Sequence, residues 1–260
     1  MMEEAAEPKP KSAARWNLRR TCVWVFIVLI AASAVAVRQP VMTTTVRAIL
    51  SGTLLFGLFT AFLYLITFFS TRPRALYPAI FIIGLFVTWV VLGNKPPDVE
   101  TLRDTYVDRL HSFEGVPHKW GGEIVTGIDC SGLARAGLWQ AMVFDGARTL
   151  NPRLLGPMLW KFWWHDVSAR DMLDGKHGYT KKIGHANKLA GYDSLMLKKG
   201  DMAVTDDGVH VLIYYGDGVW AEANPNDSKV VVNKAALDSK RKWFNVPVTF
   251  VRWWILEEED

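Results

Sequence analysis

The chain has 260 residues, half of them hydrophobic, with twelve Trp, two Cys and a formal net charge of +4. Two cysteines exclude a disulfide-stapled scaffold, and the apolar content is high for a chain that lives wholly in water. The length allows one large or two small domains, and the weak positive charge does not by itself call for nucleic acid.

Residues 1–20 are polar, with Glu3, Glu4, Glu7 and several basic residues around Pro8 and Pro10. Such a composition predicts a disordered cytoplasmic tail. Three apolar runs free of charge follow, at 21–37, 48–70 and 75–93. Each is long enough to cross roughly 30 Å of hydrocarbon as a helix, so 21–95 is expected to form a three-helix transmembrane region. A signal peptide ending near Ala31-Ala32-Ser33-Ala34 is the rival reading of the first run. Lys9, Lys11, Arg15, Arg19 and Arg20 precede the first run, and Arg72 and Arg74 lie between the second and third. Fewer basic residues flank the other side (Arg38, Arg47, Lys95), which puts the N-terminus in the cytoplasm and everything after Gly93 outside it.

Asn94-Lys95-Pro96-Pro97-Asp98 breaks the third run, and a soluble domain is expected over 96–260. Val99, Leu102, Tyr106, Leu110 and Phe113 recur at helical spacing and predict an amphipathic helix over 98–113. A loop over 115–126 carries Trp120-Gly121-Gly122, and a second helix starts close to Asp129 and Cys130. The stretch 146–195 mixes aromatics with Lys176, Lys181, Lys182 and Lys188. It reads either as a lid or substrate-binding insertion near the bilayer, or as an extra helical layer with buried aromatics. From Gly200-Asp201 the period changes to two, predicting strands over 201–205, 209–215, 219–223, 229–232 and 248–254 in an antiparallel meander. Helices first and strands afterwards give an α+β domain.

Gly127-Ile128-Asp129-Cys130-Ser131-Gly132-Leu133 puts a thiol at a helix start, where free N–H groups lower its pKa and can hold an oxyanion. The lone Cys reads otherwise as a small buried hydrophobe. Gly127 is expected to relax the backbone angles before the turn, and Gly132 to let the helix approach the sheet. Of the six His, only His210 lies in a clear strand, and alternation puts it on one face with Leu212 and Tyr214. A turn centred on Asp217 brings Glu222 and Asn224 to the His210 side of the next strand, where either one orients the imidazole. A satisfied structural histidine is the bland alternative. Lys240-Arg241-Lys242-Trp243 reads as a solvated turn rather than a binding patch.

Together, Trp120-Gly121-Gly122, Asp129-Cys130-Ser131-Gly132, Gly200-Asp201 and His210-Val211-Leu212-Ile213-Tyr214 resemble the NlpC/P60 family of cysteine peptidases over most of 98–254. The resemblance implies a papain-like fold with Cys130 as nucleophile, His210 as base and Glu222 as the third polar residue. It further implies Asp129 and Ser131 as substrate-recognising neighbours, with His118 standing where the family usually has Tyr before Trp120. The implied activity is hydrolysis of amide bonds in peptidoglycan stem peptides, by a bacterial inner-membrane protein whose domain faces outward. Such a mechanism needs neither metal nor cofactor. Two other classes stay open: thiol chemistry on lipid or protein acyl groups, and a non-catalytic domain that binds wall peptides.

Overall fold

A computed structural model describes residues 11–41, 43–192 and 196–257. They fall into two compact units, one holding the described residues up to Gln39 with Thr43–Leu76, the other holding Pro40, Val41 and the described residues from Tyr77 on.

The first unit contains helices α1 (Lys11–Val37) and α2 (Thr44–Thr71). Helix α1 starts ten residues before the apolar run, so 11–20 is helical rather than a tail, whereas 1–10 lies outside the described residues. Thr43 caps α2 by accepting the Val46 N–H on its side chain. Helix α3 (Leu76–Leu92) follows a short 3-10 turn at Pro73–Ala75 and groups with the second unit. Among the described residues two helical stretches, Thr44–Thr71 and Pro73–Leu92, have the length and composition to cross a membrane; the apolar helix Trp24–Val37 is shorter. The expectation of three such spans is therefore met by two.

Asp98 caps α4 (Val99–His111), which buries Leu102, Tyr106 and Leu110 as the spacing predicts. The segment expected as a loop contains a minimal hairpin, β1 (Glu123–Ile124) with β2 (Gly127–Ile128), whose backbone bonds are invisible to a two-residue period. The long α5 (Cys130–Thr149) packs against α4 and ends on Leu150 in the left-handed region. After α5 the chain forms α6 (Pro152–Leu155), α7 (Pro157–Trp164) and α8 (Ala169–Leu173) before it enters the sheet. They form the expected extra helical layer only in part. Phe162 is buried against Tyr179, Trp253 and Trp254, whereas Trp160 and Trp164 remain 46% and 38% exposed. The same stretch also holds a strand that the sequence reading missed, β3 (Thr180–Ala186). Its Lys-rich, largely exposed pattern suits an outermost strand and hides the period-two signal.

The strands β4 (Met202–Thr205), β5 (Val211–Gly216), β6 (Val219–Asn224) and β7 (Lys229–Lys234) form the expected meander. The six-stranded sheet is more than that, in the order β3-β8-β4-β5-β6-β7, because β8 (Val248–Trp253) returns to pair with β4 and takes β3 on its other side. Side chains alternate between two apolar clusters. Met202, Val204, Val211, Ile213, Ala221 and Ala223 meet α5, while Ala203, Leu212, Trp220, Phe244 and Phe250 form a core on the opposite face. Gly200-Asp201 is structural: Asp201 is fully buried and takes both Nε and an Nη of Arg252 at 2.7 Å.

Candidate active site

A short acidic side chain before a helix accepts the unpaired N–H groups of its first turn, and Asp129 does so for α5. Its Oδ1 takes the Gly132 N–H at 2.6 Å and the Ser131 hydroxyl at 3.0 Å, while Oδ2 reaches back to the Gly121 N–H at 2.7 Å. Asp129 thereby stitches the Trp120-Gly121-Gly122 loop onto the helix carrying Cys130. Both Asp129 and Ser131 are buried, at 8% and 7% exposure, and spend their polar atoms on each other and on this loop. Their arrangement fits a scaffold more directly than a substrate contact. Gly132 is small for the hairpin's sake and not the sheet's, since a Cβ there would stand 2.0 Å from the Gly122 carbonyl oxygen. Gly127 likewise answers to space and not to unusual angles: its φ is not positive, and a Cβ would meet the Lys119 side chain at 2.8 Å.

Cys130 is 4% exposed and its Sγ lies 3.8 Å from the Val209 carbonyl oxygen, to which it hydrogen-bonds instead of to an imidazole. Burial pushes the thiol up to about 12, and the Asp129 carboxylate adds to the rise. The backbone N–H groups of Val211, Ser131 and Cys130 pull the other way without prevailing. The expectation of a depressed thiol is thus reversed: the partial charge of a helix start is outweighed by loss of water.

His210 sits one residue before β5, not within it, and His185 is the histidine inside a strand, where it faces solvent and bonds Asp206 at 2.9 Å. Thr205 Oγ1 accepts the His210 backbone N–H at 3.0 Å and so fixes the approach to the strand. The imidazole is buried, 2% exposed, with Nε2 2.7 Å from Glu222 Oε2. A carboxylate only accepts, so Nε2 carries the proton and Nδ1 is the nitrogen left to act as base. Glu222 is itself 1% exposed, and its Oε1 accepts the Asn224 amide at 3.0 Å. The two alternatives are therefore stacked in series, with Glu222 against the ring and Asn224 behind Glu222. The register that unites them is the expected one, Ile213 opposite Ala221 and Tyr214 opposite Trp220, with an irregularity beside the Asp217-Gly218 turn.

The sulfur touches the backbone on both sides of His210, at Val209 and Val211. Nucleophile and base candidates, 80 positions apart in the sequence, thus meet at one end of the sheet. His118 is half-buried, packs edge-on against Trp120 at 5.1 Å, and feels both Asp129 and His210 electrostatically. Loss of water drives its pKa down, against the pull of the Asp129 carboxylate. Trp120 is 65% exposed at the rim.

The Lys240–Trp243 cluster is not the solvated turn the sequence suggests. Trp243 is buried and stacks on His210, Arg241 pairs with Asp227 at 2.6 Å and stands 3.8 Å from Glu222, and Lys242 lies over the Trp243 ring. Sequence reasoning missed these groups because charge dominates the local composition, and the stacking partner is far away in the chain. Among the described residues no cluster of His, Cys, Asp and Glu is arranged to hold a metal ion.

No protein-family model matches the chain, and no curated protein does. Among solved structures it is similar to the NlpC/p60 domain of the peptidoglycan hydrolase SagA, with 19% identity over 57% of this chain and 96% of that one, at a TM-score of 0.36. It is also similar to the P60 domain of an antigen from M. avium subspecies paratuberculosis, with 21% identity over 62% and 98% of the two chains and a TM-score of 0.37. A third is the peptidoglycan hydrolase RipB from Mycobacterium tuberculosis, with 22% identity over 58% of this chain and 65% of that one, at a TM-score of 0.35.

Proposed function

We propose that the chain is a membrane-anchored thiol hydrolase of NlpC/P60 type that cuts amide bonds in peptidoglycan stem peptides. The observation that carries this reading is the buried Glu222–His210 pair set against the backbone that touches the Cys130 sulfur.

In this reading the resting thiol is protonated. His210 Nδ1 takes the thiol proton as the sulfur attacks the amide carbonyl, and Glu222 stabilises the imidazolium that forms. Asp129 already occupies the N–H groups of Gly132 and Leu133, which leaves those of Cys130 and Ser131 beside the sulfur to receive the developing oxyanion. Collapse breaks the C–N bond, and the imidazolium gives its proton to the departing amine. Water then adds to the thioester with His210 as base, the acid leaves, and the thiol is restored. His118 and Trp120 flank the approach to the carbonyl.

The test is mass spectrometry of muropeptides after incubating sacculi with the full chain in detergent, beside Cys130→Ala. New stem-peptide fragments from the wild type alone are expected; identical profiles overturn the reading. The raised thiol and its bond to the Val209 carbonyl favour a second reading, a non-catalytic domain that binds wall peptides. That reading gains if both forms bind sacculi equally and neither cuts them.

A further inference from the structure

The connection between the first two helices belongs to the active-site unit. Pro40 and Val41 group with the second unit although they directly precede α2. The Pro40 carbonyl accepts the Glu123 N–H at 2.9 Å, and Val41 forms an antiparallel bridge with Gly122. Pro40 and Val41 thus lie along the β1–β2 hairpin as an additional strand. The fit is close, since a Cβ on Gly121 would stand 3.2 Å from Val41 Cγ1 and one on Gly127 3.3 Å from Pro40 Cβ. The far side of the same hairpin holds the nucleophile, because the Gly122 carbonyl accepts the Asp129 N–H at 3.1 Å.

The other end of α5 is tied in the same way. Trp89 Nε1, near the end of α3, donates to the Leu150 carbonyl at 2.7 Å, and Pro152 fills the space a Gly93 Cβ would need at 2.9 Å. The Asn151 amide adds a bond to the Lys95 carbonyl at 3.1 Å. If α2 and α3 both cross a bilayer, the start of α2 and the end of α3 emerge on one side, whatever their packing. Both ends of α5, about 30 Å apart by helical rise, are then tied to segments leaving that surface. On that condition the helix would run along the bilayer and would not lift Cys130 away from it. Pro40 packs directly on Gly127 in the strand that leads into Cys130, and three residues at about 3.3 Å each put the sulfur about 10 Å from the chain entering α2.

We propose that this strap holds Cys130 at the membrane surface, so that in the bilayer the site reaches a stem-type peptide carried on a lipid anchor and not the distant mature wall, which only the detergent-released chain meets. The proposal rests on the hydrolase reading above and on α2 and α3 as spans. It specifies reach: the scissile amide of a good substrate lies within about 20 Å of the hydrocarbon boundary, allowing for a headgroup layer of roughly 5–8 Å.

Two measurements on the full chain in phospholipid vesicles test it. In the first, Lys119→Cys, at an exposed position beside Gly127, carries a fluorescent donor in a Cys22→Ser, Cys130→Ala background, and energy transfer to headgroup-labelled lipid gives its height. A height under about 25 Å is expected from the strap geometry; one beyond twice that overturns the proposal while leaving the hydrolase reading intact. In the second, unlabelled wild type is given a γ-D-glutamyl-lysine peptide free in solution, coupled directly to phosphatidylethanolamine, or coupled through a long polyethylene glycol spacer. Direct coupling is expected to raise the cleavage rate at least tenfold over the free peptide. Cleavage of the long-spacer form but not the directly coupled one, or equal rates for all three, overturns the proposal alone. Cleavage of none, with the height as expected, overturns the hydrolase reading and this inference with it.

Discussion

The imidazole of His210 lies almost parallel to the indole of Trp243, with ring centroids 4.2 Å apart and planes inclined by 17°. The indole covers one face of the ring while Glu222 holds its edge, so the base has a single orientation available to it. Trp243→Ala is expected to lower kcat by ~10- to 100-fold with little change in KM, a loss of about 1.4–2.7 kcal/mol of transition-state stabilisation. Because emptying a buried aromatic site costs about 3–5 kcal/mol of stability, Trp243→Phe is the control, expected to retain most of both folding and kcat. Equal kcat in all three forms would show that the stack plays no part in turnover.

Glu222→Gln keeps the shape of the side chain but removes the charge that stabilises a protonated ring. A kcat loss of ~100-fold or more is expected, with the melting temperature falling as well, since removing one partner of a buried charged pair costs about 3–5 kcal/mol. Asn224→Ala leaves the Glu222–His210 bond in place and is expected to cost far less, about 1 kcal/mol of stability. Steady-state kinetics beside thermal melts distinguishes the two positions.

The thiol offers a test by pH. Cys130 is held up to about 12 against an ordinary value of 9.0, so the folded chain binds a proton that the unfolded chain releases. The stabilisation this gives is complete below pH 9 and declines as the pH rises towards 12, by at most about 1.4 kcal/mol per pH unit. Denaturant melts of the wild type should show an alkaline loss that begins near pH 9 and is smaller in Cys130→Ala, where the buried Tyr106 and Tyr215 hydroxyls, also pushed up by loss of water, still contribute above pH 10. Iodoacetamide should alkylate the native thiol slowly at pH 7, with a rate that climbs about tenfold per unit to pH 9 and does not level off. Asp129→Asn removes a neighbouring negative charge and should speed alkylation. A plateau near pH 6 would mean a thiolate already formed.

Gly132→Ala tests the contact between hairpin and helix. The new methyl would enter the space of the Gly122 carbonyl oxygen, 2.0 Å away, and both partners are backbone. A loss of about 1–3 kcal/mol or more is expected, read as a lower melting temperature together with loss of activity. An unchanged melting temperature would contradict the close approach of Gly122 to α5.

What the sequence determined by itself are the features that depend on neighbours along the chain. The amphipathic helix ending near Phe113, the Asp129 cap before Cys130, the strand period after Gly200 and the Asp217-Gly218 turn that brings Glu222 to the His210 side are all local rules of spacing and backbone angle. Only the tertiary structure decided the features that depend on distant partners. Strand β3 exists because β8 offers it hydrogen bonds, even though its own residues are mostly exposed and include Lys181 and Lys182. Trp243 joins the site because its loop folds back over His210, and Pro40–Val41 because their backbone pairs with a hairpin some 80 residues later. The thiol's direction of shift belongs to the same class: a helix start can be read from Asp129, but the water that Cys130 loses is removed by the packing of the whole domain.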